Sequence, residues 1–451
     1  MPWAMELLDD QRSARGLAAA IGRAIRSGAL AEGDRLPPVR EIAAQLAVSP
    51  TTVSDAWKEL AASGAIVTRG RNGTFVRNAD PVRAARRYHR VPAPPGALPI
   101  DLSHGTPDPA LLPDLGWALG KAARQLADAP RTSAYADDPV DPELDAILRE
   151  RWPYRPDSLT VVDGAMDALD RILCSQIRLG DRVVVENPTF PPLLDLLDVL
   201  GAEATPVGVD HQGPLPDELA AALALGSVRA VVLQPRAHNP TGASITPERL
   251  RRLVEVLAGH PDVLVVEDDH SGDIASSDVV SLGTALPDRV VTVLGFSKSH
   301  GPDLRLAAIG GAAPVIDGVA SRRLIGPGWS SRLLQAALVH LLTGRAAQRS
   351  VERARQRYAR RRADLTDALS TRGLELPEGD GFNLWVPVED ESNALVALAA
   401  RGIAVAPGTP FQCDRSAPHI RVTIATLDHD VSLVADAVAA AAERAPARRS
   451  V

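Results

Sequence analysis

Four short apolar runs constrain what most of this chain can fold into: Val183–Val185, Ala230–Leu233, Val263–Val266 and Val290–Leu294. Each is short for a helix and lacks the apolar–polar alternation of a strand with one wet face. Stretches of helical periodicity at 164–177, 190–200 and 246–258 are interleaved with them. Strands buried on both faces and alternating with helices imply a mostly parallel sheet covered on both sides. Ligands of such a sheet bind in a crevice at the carboxyl ends of its strands. The polar residues of interest here follow strand ends: Pro188-Thr189-Phe190, His238-Asn239-Pro240-Thr241-Gly242, Glu267-Asp268-Asp269-His270 and Ser297-Lys298-Ser299-His300.

With 451 residues the chain exceeds one ordinary domain. Residues 331–370 form a long helical passage, after which Leu384–Val386 and Ile420–Ile424 read as strands. A smaller α+β subdomain over about 330–451 is expected. Charge is divided unevenly: residues 1–90 carry 14 Lys/Arg against 9 Asp/Glu, and the remainder 35 against 47. A basic module joined to an acidic body points to two jobs. Two cysteines, Cys174 and Cys413, are too few for a disulfide framework, and nothing resembles a metal site. No apolar run reaches membrane-spanning length and the N-terminus lacks secretory order, so a cytoplasmic protein without a membrane partner is expected.

In the basic module, Leu17, Ile21, Ala24 and Ile25 recur at helical spacing over residues 13–27. Pro37-Pro38 opens a second helix, Val39 to Leu46, and Ala47-Val48 makes a turn. Ser49 is the expected N-cap of a third helix to about Ala62, with Val53, Trp57 and Leu60 inward. Two strands, Ile66–Thr68 and Thr74–Val76, flank Arg69-Gly70-Arg71-Asn72-Gly73, whose Asn-Gly pair favours a tight reversal. Three helices and a basic hairpin make a winged helix-turn-helix or, alternatively, a small protein-contact domain. Leu36-Pro37-Pro38-Val39-Arg40-Glu41-Ile42-Ala43, Val48-Ser49-Pro50-Thr51-Thr52-Val53 and Gly73-Thr74-Phe75-Val76 resemble the GntR-type winged-helix repressor domain. That resemblance implies double-stranded DNA as a partner, approached by Arg40, Thr51, Thr52 and Gly73. Ser49 and Arg69 or Arg71 are added as candidates from the local chemistry. Family members usually carry arginine where this chain has Pro50, which bears on operator sequence. Residues 78–99, rich in arginine and proline, read as a semi-rigid linker, whose arginines serve DNA attraction or only solubility. The expected boundaries are therefore 1–77, 78–99 and 100–451.

Lys298 follows an apolar run and is followed by glycine and Arg305. On these residues alone it is a Schiff-base amine or a solvated surface lysine. Phe190 is a ring-stacking residue or core; Asp163-Gly164-Ala165 starts a phosphate-binding helix or any helix. Taken in order, Gly164-Ala165-Met166, Phe190, Asn239-Pro240-Thr241-Gly242, Asp268, Ser297-Lys298 and Arg305 resemble the fold-type I pyridoxal-phosphate enzymes of the class I/II aminotransferase family. The resemblance implies that Lys298 forms the Schiff base with pyridoxal 5'-phosphate, Asp268 faces the pyridine nitrogen, Asn239 touches the ring oxygen and Phe190 stacks on the ring. Ser297, Arg305 and the Gly164–Ala165 amides would hold phosphate. Tyr135 matches the tyrosine that reaches the neighbouring subunit's phosphate, and Arg421 the arginine that clamps a substrate carboxylate. His104 and Gly105 lie on a segment that passes the substrate mouth.

One departure concerns catalysis: the family usually has tyrosine where this chain has His270, which leaves cofactor binding better supported than turnover. His300 could sense ligand or line a polar wall, while Arg322, Arg323 and Arg332 are expected on solvated or dimer surfaces. A GntR-type reader followed by an aminotransferase-like body resembles the MocR subfamily of bacterial regulators. That combination implies a head-to-tail homodimer and a regulator of vitamin B6 or amino-acid metabolism. Its effector would be pyridoxal phosphate, an amine joined to it, or an amino acid. A true aminotransferase acting on an amino acid or amine is the alternative.

Overall fold

The structure, a computed structural model, describes residues 13–26, 29–31, 33–62, 65–68, 73–76, 87, 98–129, 134, 137–178, 180–414 and 417–442. They fall into two compact units, an N-terminal one and a body that holds the chain from residue 86 on, apart from 178–181 and 197–203. The sequence candidates Arg69, Arg71 and Tyr135, and most of the 78–99 connection, lie outside the described residues.

The N-terminal unit contains α1 (Ala14–Arg26), β1 (Arg35–Leu36), α2 (Val39–Leu46), α3 (Pro50–Ala62), β2 (Ile66–Thr68) and β3 (Thr74–Val76). Its core is the apolar stripes of the helices: Leu17, Ile21 and Ala24 against Ile42 and Leu46 and against Val53, Trp57 and Leu60. Ala47 adopts a left-handed conformation (φ 51) that ends α2. Ser49 caps α3 as expected, its Oγ accepting from the Thr52 amide at 3.0 Å. Pro50 takes the first helical position, where a missing N–H costs nothing. A third strand, β1, joins the hairpin in the order β1-β3-β2; at two residues it gives no periodic signal.

The body is built on an eight-stranded sheet in the order β5-β12-β11-β10-β9-β6-β7-β8. Its members are β5 (Ser158–Val162), β6 (Arg182–Asn187), β7 (Glu203–Asp210), β8 (Gly213–Pro214), β9 (Val228–Leu233), β10 (Leu264–Asp269), β11 (Val290–Gly295) and β12 (Ala307–Gly311). β6, β9, β10 and β11 run parallel, while β12 lies antiparallel to both β11 and β5. Helices α4 (Leu115–Ala127), α5 (Pro142–Arg151), α6 (Ala165–Gln176), α7 (Pro191–Leu200), α8 (Pro216–Ala224), α9 (Pro247–Ala258), α10 (Ala313–Leu324) and α11 (Arg332–Thr343) accompany it. Leu253, Leu257, Leu219 and Leu223 of α8 and α9 pack on Val184, Val231 and Val265, while Ala336 to Leu342 of α11 pack with Leu144, Leu148, Leu159 and Phe296. The sheet is thereby dry on both faces, which is why its strands read as unbroken apolar runs.

A second sheet, β13-β15-β14-β4, consists of β13 (Asn383–Pro387), β15 (His419–Thr423), β14 (Ile403–Pro407) and β4 (Ile100–Leu102). It packs with α12 (Arg345–Ser370), α13 (Glu391–Ala399) and α14 (Val431–Ala442) around Leu365, Leu384, Val422 and Val438. β4 runs parallel to β14, three hundred residues later, so the body's first strand belongs to this sheet. No helix among the described residues is long and apolar enough to cross a membrane.

Candidate functional site

Phe190, Asn239, Asp268, His270 and Lys298 lie at or beyond the carboxyl ends of strands of the large sheet. Phe190 follows β6 and shares a cleft with Leu169, Glu186, Thr189, Gln234 and Asp268. Asp268 lies near the end of β10, whose alternation sends its three carboxylates to different partners. Glu267 accepts from Ser281 Oγ (2.5 Å), the Leu282 amide (2.7 Å) and Thr292 Oγ1 (2.8 Å). Asp269 is ion-paired with Arg236 at 2.6 Å. Asp268 is left over: it is buried, and its Oδ1 has no hydrogen-bond partner among the described residues. Burial, then Asp269 and Glu186, push its carboxyl up to about 7, against the pull of Lys298.

Lys298 stands three residues past β11. Its Nζ donates to the Gly105 carbonyl and lies 5.7 Å from the centre of the Phe382 ring. Desolvation, followed by the Arg421 guanidinium, lowers its amine to about 8, with Asp268 opposing. An amine so depressed is a better nucleophile near neutral pH than a surface lysine. Ser297 is half-buried beside it.

The anion cradle is formed by β5, α6 and the turn after β11. Gly164 adopts φ 105 and ψ 165, a conformation open essentially to glycine, and puts the first turn of α6 at the edge. A Cβ on Gly164 would come within 2.8 Å of Arg305 Nη2. Arg305, itself left-handed at φ 49, donates to the Asp163 carbonyl at 2.9 Å. The start of a helix beside an exposed guanidinium has the chemistry that suits a phosphate.

Asn239 follows β9, its amide held by Gln234 Oε1 at 2.7 Å. Its Oδ1 accepts from Arg421 Nη1 (3.3 Å) and Asn383 Nδ2 (3.4 Å). Arg421, on β15, also donates to the Ser103 carbonyl at 2.5 Å, and its guanidinium lies 5.0 Å from the Phe411 ring centre. Asn239, Arg421, Gly105, Lys298 and Asp268 are thus joined by direct contacts or charge. His104 turns to Asp101 Oδ2 at 3.0 Å. His270 has its Nε2 3.2 Å from Ser271 Oγ and its Nδ1 buried without a hydrogen-bond partner among the described residues. Desolvation, then Lys298 and His238, push it down to about 3, so it is a neutral ring. His300 is buried edge-on to Phe296 with Nδ1 2.8 Å from Ser299 Oγ.

Arg323 departs from the surface position expected for it. It is 1% exposed and bonds Asp163 Oδ2 and Asp167 Oδ2 at 3.3 Å and Ser330 Oγ at 3.0 Å, behind the cradle. The guanidinium is the buried charge, and the partly exposed carboxylates of Asp163 and Asp167, before and in the first turn of α6, supply the counter-charge it needs. Glu186, Gln234 and Arg236 also line or support the site and belong to none of the sequence motifs, and His238 has no role assigned by them. Glu186 accepts the Gln234 amide at 2.8 Å and lies 3.3 Å from His238 Nε2. A glutamate ending an otherwise apolar run was its available signal.

In the N-terminal unit Arg40, Ser49 and Thr51 are exposed, and Thr52 Oγ1 is tied to Ser49 Oγ at 2.8 Å. Gly73 has φ 105, and a Cβ there would meet Arg35 Nε at 2.7 Å. Arg35, absent from the sequence candidates, therefore lies against the wing. In the linker, Arg87 pairs with Asp195 at 3.3 Å within the body.

Pyridoxal phosphate fits this donor set. An orphaned buried carboxylate suits a protonated ring nitrogen, and the notch kept by Gly164 suits phosphate. Residues 100–437 match the aminotransferase class I and II family, which is pyridoxal-phosphate dependent, and residues 13–76 match the bacterial regulatory proteins of the gntR family. The chain is 36% identical over 434 residues, 94% of its length and 97% of the relative's, to the vitamin B6 salvage pathway transcriptional repressor PtsJ of Salmonella typhimurium. It is 32% identical over 431 residues, 86% of its length and 87% of the relative's, to the HTH-type transcriptional regulator TauR of Rhodobacter capsulatus. An aspartate aminotransferase of Thermus thermophilus shares the body's fold, with a TM-score of 0.67 at 24% identity over 79% of this chain and 98% of that one. The fold and site define an aminotransferase-type body carrying a winged-helix reader. The chain belongs to the GntR family of bacterial DNA-binding transcriptional regulators, in the MocR-type form with an aminotransferase class I and II domain.

Proposed function

We propose that the body binds pyridoxal 5'-phosphate at Lys298 and that occupancy changes how the reader binds DNA, so controlling genes of vitamin B6 metabolism. The observation that carries this reading is the unpartnered Oδ1 of Asp268 beside a depressed lysine amine. Lys298 supplies the amine that would hold an aldehyde. Asp268 would face the ring nitrogen, Phe190 and Asn239 the ring, and Gly164, Ala165, Ser297 and Arg305 the phosphate. The bound group supplies a carbonyl that captures primary amines and a ring that withdraws electrons. Arg421 adds a cation for a carboxylate, which favours an amino compound as effector. The relative named as a vitamin B6 salvage repressor supports the choice of target.

Arg40, Thr51, Thr52 and Gly73, with Arg35, are the proposed DNA contacts. We take 1–77 as reader, 78–99 as linker and 100–451 as body, acting in the cytoplasm as a head-to-tail homodimer in which Tyr135 serves the partner's phosphate. Borohydride treatment after mixing with pyridoxal phosphate should leave a pyridoxyl label on Lys298, found by mass spectrometry and lost in Lys298→Ala. An unlabelled Lys298 would sink the reading. The retention of Lys298, Asp268, Asn239 and Arg421 favours a second reading, a working aminotransferase. Sustained amino-group transfer from an added amino acid would support it; His270, where the family usually has tyrosine, is the departure that argues against it.

A further inference from the structure

After β4, the first strand of the body, the chain crosses the ligand site before it reaches the 3-10 turn at Pro109–Leu111. In that crossing the Ser103 carbonyl accepts Arg421 Nη2 at 2.5 Å, and the Gly105 carbonyl accepts Lys298 Nζ. The crossing is shaped locally. Asp101 Oδ1 accepts from the Ser103 amide at 3.0 Å and Ser103 Oγ at 2.7 Å, and Asp101 Oδ2 lies 3.0 Å from His104 Nδ1. It is anchored at both ends. β4 pairs with β14; Asp108 is ion-paired with Arg361 at 2.8 Å, and its amide donates to Tyr358 Oη at 2.9 Å. The segment fits tightly, since a Cβ at Gly105 would come within 3.3 Å of Arg421 Nη1.

We propose that residues 103–105 are a tethered occupant of the ligand site, whose release is the first movement by which the ligand acts on the connection to the reader. The inference rests on the reading of Lys298 and Arg421 given above. Lys298 can hold an aldehyde only after its amine leaves the Gly105 carbonyl. A carboxylate seated on Arg421 Nη2 competes with the Ser103 carbonyl for that group. Release is therefore graded: an aldehyde alone competes at Gly105, and an amino acid joined to it competes at Ser103 as well. A ligand shifts such an equilibrium only through its different affinity for the two states, and here it binds the released one. The residues that follow the linker are thereby the residues that sense occupancy.

Asp101→Ala removes the acceptor that folds Ser103 back while leaving Lys298 and Arg421 in place; Asp101→Asn keeps an acceptor oxygen. Full-length wild type and both variants are titrated with pyridoxal phosphate, with and without L-alanine. Backbone hydrogen exchange is followed over residues 100–108. Asp101→Ala should bind pyridoxal phosphate roughly threefold to tenfold more tightly, as expected for loss of part of one competing charge-assisted hydrogen bond. Asp101→Asn should bind like wild type. Exchange in wild type should rise with pyridoxal phosphate and further with L-alanine, toward the level Asp101→Ala shows alone. Tighter binding is an outcome that a damaged fold does not produce. Equal affinities, weaker binding by a normally melting Asp101→Ala, or exchange untouched by ligand in a protein that is labelled on Lys298, each overturns the strap and leaves the cofactor reading standing. No uptake by wild type overturns both. Should Asp101→Ala not fold, the wild-type exchange result decides.

Discussion

Gly164→Ala tests the anion cradle at one atom. With φ 105 and ψ 165 the site is closed to residues with a Cβ, at a cost of about 1–3 kcal/mol in the backbone. The added carbon would also lie 2.8 Å from Arg305 Nη2 and 3.1 Å from its Cζ. The guanidinium, being the far end of a flexible side chain, withdraws, and its 2.9 Å bond to the Asp163 carbonyl is lost. The contribution of Arg305 to phosphate, one charge-assisted hydrogen bond or more, is about 1.5–3 kcal/mol. Affinity for pyridoxal phosphate should therefore fall roughly tenfold to a hundredfold. Pyridoxal, with the same aldehyde and ring but no phosphate, should bind the variant within about threefold of wild type. The assay is a pair of titrations on the full-length protein, scored as the ratio of the two affinities. An equal loss for both compounds would refute the reasoning, because it would place Gly164 in general folding rather than phosphate recognition.

Asp268→Asn should stabilise the ligand-free protein above pH 7. The carboxyl has its pKa raised to about 7 in the fold, so the unfolded chain releases that proton first and stability falls as pH rises from about 4 to about 7. Removing it should recover on the order of a few kcal/mol at pH 8 while weakening pyridoxal phosphate; thermal melts from pH 4 to 8 check the sign. Arg236→Met strands Asp269 beside Asp268 and should cost about 3–5 kcal/mol in denaturant titration. Ser49→Ala removes the cap on Thr52 and should cost about 1 kcal/mol of stability. Arg40→Ala should weaken DNA binding, and if Arg40 meets a phosphate the salt slope should fall by about 1.

The reader's helices and hairpin strands are legible in the sequence, since they carry their own signals: Pro38 before α2, Ser49 at the cap and a stripe of Val53, Trp57 and Leu60; the left-handed Ala47 and the two-residue β1 have no such signal. The strands β6, β9, β10 and β11 are legible because burial on both faces gives each a run of apolar residues, with the buried carboxylates confined to the carboxyl ends of β6 and β10. β12 was not, for a packing reason. Its Gly310 and Gly311 leave no room for a side chain: a Cβ on Gly310 would lie 2.8 Å from Trp152 Cζ2, and one on Gly311 would overlap the Val290 carbonyl oxygen and lie 2.7 Å from Tyr154 Oη. The pairing of β4 with β14 has no local signature at all. In the site, Asp268 was singled out from its resemblance, but its isolation comes from Ser281, Thr292 and Arg236 taking the neighbouring carboxylates, which are contacts made across the fold. Arg323 was misjudged for the same reason, because its partners Asp163 and Asp167 are more than 150 residues away in the chain.

The central claim joins Lys298 to DNA, and one titration tests it. Duplexes selected from a random pool by the full-length protein are titrated with wild type and Lys298→Ala, each with and without pyridoxal phosphate. The account predicts that pyridoxal phosphate changes the affinity of wild type and leaves Lys298→Ala unmoved. An equal response in both proteins, or none in a wild type whose Lys298 carries the pyridoxyl label after reduction, would contradict it.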